Sequence, residues 1–535
     1  MDASAYAALP RVVLDNGSGF IKIGHASTKK PPYVIPNCVG QIKKKFGSQY
    51  YNDTLSSTST EQTSNLNTHT NDSQYVSEGC YTLMEYFCMR PHTSSLLYDS
   101  NRQRAIWDKL IGRVNPSNTG NVLSYSNVLG IAPESTAICV TEPNLCPVQA
   151  RQAAAEIIFE DFGFPLAAFI PSQTANAHYY DSAITRQFTS KSAQNELVLK
   201  SYPDPIPKYQ TSTDTSCCLV IDCGFGTTHS VPFVNCKPIQ NAALRTSLAG
   251  SSLNAYLKNT TALRFVNLEF NELVVQHMKE ESCYISRNFD LELRAAKNLQ
   301  RIPGNNLLRH RYFLPNYNTR SKTVMTRHFT TYREAPAPLL GENNENEVKK
   351  LADGDVDSLE KLEALIPSSN EPNFETSQDS LLEHESILNP DIMENNNQHI
   401  DLFAERFSIP EILFSPQDIN IRDCGIVELA YRTIALSPPQ IQPLLASNIF
   451  LCGGSTKFPG FTERFYTDIR KLLPTEWDVS VYSSEDPSLS AFYGAKIWTN
   501  DDSLFLSNAI TRSIYFENGG SIINTNDMMK AKAAE

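Results

Sequence analysis

The chain has 535 residues, which is more than one hydrophobic core fills, so we expect two large lobes. It contains no apolar run of about 18 residues, and residues 1–10 lack the charged-then-apolar order of a signal peptide. We therefore expect an intracellular protein with no membrane span. The 12 cysteines form no C-x-x-C pair, which favours reduced thiols over disulfides or zinc ligands.

The first predicted element is a β-hairpin in VVLDNGSGFIKIG, residues 12–24. An apolar run ends at Asp15, and the pair Asn16-Gly17 predicts a type I′ turn, in which both central residues need positive φ. A functional interpretation is also open, in which consecutive backbone N–H groups surround a phosphate while Asp15 faces a metal ion. The small residues of that loop are Gly17, Ser18 and Gly19. This hairpin alone does not decide between the two interpretations.

Two segments have compositions that do not favour a packed core. Ser, Thr and Asn supply 16 of the 26 residues in 52–77, and residues 342–400 hold 15 acidic but only 3 basic side chains. The second segment alone carries a charge of −12, which equals the net charge of the whole chain. Both are predicted to be disordered insertions, because they bury too little apolar surface to offset the entropy lost on folding.

The design of the first hairpin recurs in CCLVIDCGFGTTHSVPFV, residues 217–234, where an apolar strand again leads to an acid and two glycines. The pattern D-x-G-x-G begins at Asp15 in the first copy and at Asp222 in the second. Such a repeat predicts two similar lobes whose loops grip one phosphate chain. A third element, residues 447–461, has a strand that leads to Gly453-Gly454 and then a helix, the context in which backbone N–H groups meet a nucleotide.

Three segments, in this order along the chain, resemble parts of the actin superfamily. The two phosphate loops are resembled by DNGSG and IDCGFGTTH, and the late adenosine-contacting glycine pair by LCGGSTKFPG. Further matching segments are VIPNC, ICVTEPNLCP, LAGSSLNAYL and MKEESCYIS. Within the superfamily the chain is most similar to a nuclear class of actin-related proteins, through RPH, AIWD, YFLPNY, ERFSIPEILFSPQDI, LLPTEWDVSV and TRSIYFENG. The resemblance implies an α/β, actin-like two-lobed fold of duplicated ribonuclease-H-like domains with a nucleotide cleft.

The resemblance also implies how the chain divides. The first lobe would comprise residues 1–180, including the insertion 52–77. The second lobe would comprise residues 181–500, including the acidic insertion 342–400. The remaining residues, 501–535, would form a C-terminal tail that packs partly on the first lobe.

The site residues that the resemblance implies fall into three groups, which together would bind ATP or ADP with Mg²⁺. The first phosphate loop corresponds to Asp15, Gly17, Ser18, Gly19 and Lys22. The second phosphate loop corresponds to Asp222, Gly224 and Gly226. The adenosine and ribose contacts correspond to Gly250, Lys279, Glu280, Gly453 and Gly454. The two aspartates would hold the metal through water, since Mg²⁺ keeps several waters beside phosphates.

The pattern that supports hydrolysis is incomplete in this sequence. In actin a glutamine and a histidine hold the attacking water, and the histidine is present here as His229. The glutamine position aligns with Ser172, and Gln173 comes one residue late, which on a strand would turn its side chain to the opposite face. Phe225 stands where actin has an acid, and Cys223 where actin has serine, so we expect the surroundings of the metal to be less well ordered than in actin. We therefore expect nucleotide binding with little or no hydrolysis.

The nuclear class supplies structural subunits of the SWR-type chromatin remodelling complex, which exchanges a variant histone into nucleosomes. The resemblance implies a non-catalytic, nuclear protein with some cytoplasmic pool, whose partners are a zinc-finger HIT subunit and the ATPase subunit. Contacts with nucleosomal DNA or histones would be indirect or weak. We do not expect filaments, because residues 52–77 replace the compact loop by which actin docks on the next subunit. The alternative is a free actin-like ATPase or small-molecule kinase of the same fold.

A basic stretch, residues 301–333, contains seven Lys or Arg residues and no acid, with aromatic residues between them. Such a surface is suited to DNA phosphates or to an acidic partner. The simpler interpretation is a solvated strand and linker whose charge is neutralised by the neighbouring acidic segment.

Overall fold

The computed structural model describes residues 6–42, 75–77, 80, 86–111, 129–189, 198–203, 217–262, 272–301, 308–314, 345–353 and 399–519. Its strands are β1 (Arg11–Asn16), β2 (Phe20–His25), β3 (Tyr33–Pro36), β4 (Val39–Ile42), β5 (Tyr75–Val76), β6 (Tyr86–Met89), β7 (His92–Thr93), β8 (Leu96–Leu97), β9 (Ala137–Glu142), β10 (Leu166–Pro171), β11 (Leu199–Tyr202), β12 (Cys217–Cys223), β13 (Thr228–Val234), β14 (Lys237–Pro238), β15 (Leu244–Thr246), β16 (His310–Phe313), β17 (His399–Leu402), β18 (Ile449–Cys452), β19 (Val481–Ser484) and β20 (Ile510–Thr511).

Its α-helices are α1 (Ser100–Ile111), α2 (Val148–Glu156), α3 (Ser172–Thr189), α4 (Gly250–Ala262), α5 (Glu272–Ser282), α6 (Phe289–Leu299), α7 (Glu345–Ala352), α8 (Glu405–Glu411), α9 (Ile426–Leu436), α10 (Gln442–Ala446), α11 (Phe461–Leu472), α12 (Ser490–Asn500), α13 (Asp502–Asn508) and α14 (Arg512–Asn518). None of the helices in the described part of the chain is long and apolar enough to cross a membrane.

Two sheets with the same strand pattern form the centres of the two lobes. The first sheet has the order β20-β10-β9-β1-β2-β3, and the second has the order β11-β19-β18-β12-β13-β14, with β15 added beside β13. In the first sheet β1, β9 and β10 run parallel, and in the second β12, β18 and β19 do the same. The outer neighbours are antiparallel in both sheets. This duplication confirms the predicted two-lobed α/β fold.

Each central strand is apolar on both faces because helices cover both sides of its sheet. In β1, Val12 and Leu14 pack in the same core as Trp107 of α1. Val13, which points to the opposite face, packs in a second core with Phe492 of α12. The carboxyl end of the strand, where Asp15 stands, is therefore held in place from both sides.

Helices α3 and α12 cross between the lobes, and this arrangement corrects the predicted lobe boundaries. Tyr180 of α3 follows the first sheet in sequence but packs in a core with Val220 of the second sheet. Trp498 of α12 lies within the predicted second lobe but packs in a core of the first sheet. The helices approach so closely that a Cβ on Gly494 would lie 1.8 Å from the carbonyl oxygen of Ala175, so only glycine fits there.

The ends of both predicted insertions belong to the fold, so the predicted boundaries were too wide. Ser77 is buried, and its hydroxyl donates to the carbonyl oxygen of Pro36 at 2.8 Å. In the acidic segment, α7 buries Val348 and Leu351 in a core with Leu299 of α6. Strand β17 pairs with β16, which ties the end of that segment to the second lobe. Residues 52–74 and 354–398 lie outside the described part of the chain.

The C-terminal segment contacts the first lobe as far as the structure describes it. Strand β20 extends the first sheet beside β10. Tyr515 of α14 stacks on Phe159 with 4.8 Å between the ring centroids, and its hydroxyl donates to Glu160 at 2.7 Å. All 12 cysteines are free thiols, as predicted.

Candidate functional site

A cavity of about 560 Å³ lies between the lobes, at the carboxyl ends of the central strands of both sheets. The three predicted catalytic positions line this cavity, namely Ser172, Gln173 and His229. So do most of the predicted nucleotide contacts, namely Asp15, Gly17, Ser18, Gly19, Lys22, Asp222, Gly224, Gly250, Lys279, Glu280, Gly453 and Gly454. Gly226 is the exception. A Cβ on Gly226 would lie 2.7 Å from Ser95 Oγ and 2.8 Å from Ser18 Oγ, so this glycine lets the two loops touch.

The first loop is a hairpin, but the predicted type I′ turn is wrong. Strand β1 extends through Asn16, and residues 17–19 form the loop before β2 begins. Neither Asn16 nor Gly17 has the positive φ that a type I′ turn requires. A Cβ on Gly17 would lie 2.6 Å from the carbonyl oxygen of Phe20, so the loop curls back on itself and needs glycine there.

Several backbone N–H groups in the two loops face no acceptor in the described part of the chain. They belong to Ser18 and Gly19 in the first loop and to Phe225 in the second. The carbonyl groups of the same loops are occupied, since Gly224 and Phe225 accept from the first residues of α4 at 3.1 and 2.7 Å. Free donors on both sides of a cleft form a cradle for an anion.

The predicted adenosine-side residues line the cavity beside the second loop. Lys279 is buried, and its Nζ donates to the carbonyl oxygen of Gly250 at 3.0 Å, while burial lowers its pKa. Gly453 has φ of +91°, and a Cβ there would lie 2.4 Å from the carbonyl oxygen of Cys223. A Cβ on Gly454 would meet no atom within 4 Å, so this position opens on the cavity.

The two carboxylates of the repeated motif occupy equivalent strand ends. Asp15 accepts from Thr141 Oγ1 at 2.6 Å and from Lys22 Nζ at 2.8 Å. Asp222 accepts from Gln173 Nε2 at 2.7 Å. Burial, with a further contribution from the negative charge of Asp15, raises the pKa of Asp222 to about 6. A divalent cation between the carboxylates would relieve this repulsion.

No group of three or more His, Cys, Asp or Glu residues in the described ranges is placed to hold a metal directly. The two carboxylates therefore fit a hydrated cation, which needs few protein ligands. Cys223, predicted to weaken metal ordering where actin has serine, is buried, and its sulfur accepts from Thr228 Oγ1 at 3.3 Å.

The prediction that Gln173 points away from the cleft is wrong. Ser172 and Gln173 lie not on a strand but in the first turn of α3, where a one-residue shift rotates the side chain by about 100°. Gln173 Nε2 lies 3.3 Å from His229 Nδ1, and its Oε1 accepts from the backbone N–H of Asn144 at 2.9 Å. Burial lowers the pKa of His229 to about 4, so its imidazole is neutral at pH 7.

Three buried polar atoms of cavity-lining residues have no hydrogen-bond partner in the described part of the chain. They are Nε2 of His229, Oδ1 of Asn176 and Oδ1 of Asn16. Buried polar atoms normally find a partner, so these atoms indicate that the cavity accommodates a polar ligand or water. The asparagine oxygens can accept from a ligand hydroxyl or from water, while the free loop N–H groups can donate to a phosphate.

Two contacts of the cleft were not predicted from the sequence. The ring of Phe225, expected only to weaken metal ordering, lies against Gly19, where a Cβ would be 2.8 Å from the phenylalanine Cβ. Arg90, quoted only as part of the RPH segment, stacks on this ring with 4.2 Å from its Cζ to the ring centroid. The sequence signal that could have indicated both contacts is Phe225 itself, which stands where actin has an acid.

The basic stretch is only partly within the described residues. Arg309 and Arg311 approach Asp401 at 3.4 and 2.9 Å, and Tyr312 is buried. This part supports the simpler interpretation, in which neighbouring acid neutralises the strand. Residues 315–333 lie outside the described ranges.

Comparison with known proteins agrees with this architecture. Proteins named actin-related protein 6 are 28% identical over 516 residues in Arabidopsis thaliana, covering 95% of this chain and 97% of that protein, and 25% identical over 520 residues in Dictyostelium discoideum, covering 96% and 93%. The Aspergillus fumigatus actin-like protein arp6 is 26% identical over 543 residues, covering 97% and 96%. The actin family model matches residues 7–527. With both sheets, both loops and nearly the whole length included in that match, the chain belongs to the actin family.

Proposed function

We propose that this protein is a non-catalytic, actin-related subunit of a nuclear chromatin remodelling complex of the SWR type, which exchanges a variant histone into nucleosomes and so regulates transcription. Its similarity to several proteins named actin-related protein 6 along nearly the whole chain supports the class. The proposed partners are a zinc-finger HIT subunit and the ATPase subunit of that complex. The proposed location is the nucleus, with some cytoplasmic pool.

The proposal includes binding of ATP or ADP with Mg²⁺ in the cleft, because the actin fold is a nucleotide-binding scaffold. The observation that carries it is the cavity of about 560 Å³, which is lined by loop residues with unpaired N–H groups and by Gly454, where a Cβ would meet no atom within 4 Å. The loops would hold the phosphates, and the residues around Lys279 would hold the nucleoside. Bound Mg²⁺ would neutralise phosphate charge, with Asp15 and Asp222 holding its waters.

Affinity purification of the tagged protein from cells tests the structural role. We expect the protein to co-purify with remodeller subunits and nucleosomal proteins. The same purification of a Gly454→Val variant shows whether nucleotide is needed for that assembly. Recovery of the wild-type protein alone would contradict the proposal. Filament formation is not part of the proposed function, and sedimentation under the salt conditions that polymerise actin tests that separately.

A slow actin-like ATPase is the second candidate, and one observation favours it. Gln173 and His229, the residue types that hold the attacking water in actin, are adjacent on the cavity wall at 3.3 Å. In this second candidate function, the pair would hold the attacking water. Release of phosphate by purified protein, compared with a His229→Ala variant, separates this enzyme from a scaffold that only binds.

A further inference from the structure

Arg90 lies at the junction of the two lobes, directly after β6. Its Nη1 donates to the carbonyl oxygens of Gly19 at 3.0 Å and of Ser18 at 3.3 Å, both in the first loop. On the other side, Nε donates to Glu272 Oε1 at 2.8 Å and Nη2 to Gln276 Oε1 at 3.2 Å, both on α5 of the second lobe. The planar, multiply donating guanidinium thus contacts both lobes at once, which a lysine could not reproduce.

Phe225 completes this contact from the second loop. Its ring faces the guanidinium of Arg90 at 4.2 Å, and its side chain touches the positions of Gly19 and Gly250. A cation over an aromatic face is most favourable where water is excluded. The side chain of Arg90 is 10% exposed, so the aromatic contact and the ion pair act in such an environment.

The backbone of the first loop also accepts a hydrogen bond from Asn37, in addition to those from Arg90. Asn37 is buried, and its Nδ2 donates to the carbonyl oxygen of Gly17 at 2.9 Å and lies 3.2 Å from Nδ1 of His92. Burial, with the charge of Arg90, lowers the pKa of His92 to about 4, so this imidazole is neutral at pH 7. Together with Arg90, these contacts occupy the carbonyl groups of residues 17–19, whereas the N–H groups of the cavity-lining Ser18 and Gly19 have no acceptor in the described residues.

We propose that Arg90, Phe225 and Glu272 form a clasp that holds the lobes together and the first loop in place through the chain's own side chains. Every contact of the clasp is intramolecular, so its contribution does not vary with ligand concentration. The contribution of a bound nucleotide, in contrast, grows with the ratio of its concentration to its dissociation constant. Removal of Glu272 would leave a buried cation without its counter-charge, which is strongly unfavourable. Arg90 and Glu272 are thus positioning residues for the loop.

The test uses hydrogen–deuterium exchange on the full-length protein after enzymatic removal of nucleotide and desalting. Glu272→Gln removes the charge, keeps the size of the side chain and lies in the opposite lobe from the loop. We expect exchange of the backbone N–H of Asn37, which donates to the carbonyl oxygen of Gly19 at 2.9 Å and so reports on the first loop, to become faster by on the order of tenfold, and we call this rate the loop exchange rate. The matched control is Glu428→Gln, which removes a surface pair with Arg432 in the same lobe and leaves that exchange unchanged.

A loop exchange rate in Glu272→Gln within about twofold of the wild type would overturn the clasp, as would an equal change in Glu428→Gln. Thermal unfolding checks that each variant is folded. Should Glu272→Gln not fold, Phe225→Leu keeps an apolar side chain but removes the aromatic face, and it should also accelerate loop exchange. Addition of Mg²⁺-ATP should slow exchange more in Glu272→Gln than in the wild type. If ATP has no effect on either protein, nucleotide binding fails, while the nucleotide-free comparison still decides the clasp.

Discussion

Gln173 donates through Nε2 to Oδ2 of Asp222 across 2.7 Å, and this hydrogen bond joins the helix that follows the first sheet to the central strand of the second. The same amide nitrogen approaches Nδ1 of His229. The three side chains therefore act as one unit on the cavity wall. Their arrangement keeps the groups that could orient a water, although the second loop has lost an acid to Phe225.

The first prediction separates binding from hydrolysis. His229→Ala removes a neutral imidazole whose Nε2 has no partner in the described residues but whose Nδ1 lies 3.3 Å from Gln173 Nε2, so thermal unfolding first checks that the variant is folded. We expect the variant to keep its affinity for ATP within about threefold, which corresponds to less than 1 kcal/mol, and to co-purify with remodeller subunits like the wild type. Fluorescent-ATP titration and quantitative co-purification measure these outcomes. If this variant loses both assembly and phosphate release, the result would favour the actin-like ATPase over the scaffold that only binds nucleotide.

The second prediction uses two neighbouring glycines that differ in their surroundings. Gly454→Val places its side chain in open cavity space, so the melting temperature should hardly change while affinity for ATP falls at least about tenfold, a loss of about 1.4 kcal/mol. Gly453→Val is the contrasting variant, because it combines positive φ with a 2.4 Å clash and should destabilise the fold itself. Calorimetry of both variants with and without Mg²⁺-ATP measures the difference. Unchanged ATP affinity in Gly454→Val would place the nucleoside elsewhere.

The third prediction concerns pH. The pKa of Asp222 rises from an ordinary value of 3.8 to about 6 because of burial and the charge of Asp15, so the folded protein binds this proton more tightly than the unfolded chain. The ionised carboxylate therefore costs stability above pH 6, and the cost disappears as the pH falls towards 4. Asp222→Asn should stabilise the protein at pH 7.5 by up to roughly 3 kcal/mol and have little effect at pH 4.

Urea unfolding of the wild type and of Asp222→Asn at both pH values tests this sign, because the difference between the two proteins cancels other titrating groups. The exposed Asp418 supplies a control, and Asp418→Asn should show no comparable pH-dependent difference. A variant that is less stable than the wild type at pH 7.5 would mean that an intramolecular partner compensates the buried charge.

The fourth prediction concerns the acidic segment, whose beginning packs in the fold. Leu351 is fully buried, and Asn298 Nδ2 donates to its carbonyl oxygen at 2.9 Å. Leu351→Ala should reduce the free energy of unfolding by about 2–5 kcal/mol. Leu436→Ala, at a position that is 59% exposed, should change it by less than about 0.5 kcal/mol. Denaturant unfolding measures both.

Deletion of residues 356–395, which keeps α7 and β17, tests the composition-based prediction for the rest of the acidic segment. A flexible connection contributes little beyond a slowly growing closure entropy, so the deletion should leave stability nearly unchanged. A fall in the free energy of unfolding comparable to that of Leu351→Ala would show that the deleted residues pack against the fold.

The sequence by itself determined the duplicated fold and the two loops. Alternating and continuous apolar runs identify strands locally. The repeated D-x-G-x-G pattern predicts equivalent strand ends, which lie at equivalent positions in the two sheets. The positions of Asp15 and Asp222 follow from this local pattern, because in each strand the buried apolar run ends at the acid, which then lies near the end of the strand.

Only the tertiary structure decided three features. They are the direction of the Gln173 side chain, the packing of α3 against the second sheet and of α12 against the first, and the contact of Arg90 with Glu272. The direction of Gln173 depends on whether its residue lies on a strand or in the first turn of a helix, and the sequence pattern around it allowed the wrong choice. Arg90 and Glu272 are 182 positions apart, and no local periodicity links them. Such contacts arise when whole elements pack, since burial energies summed over many distant side chains then outweigh local preferences.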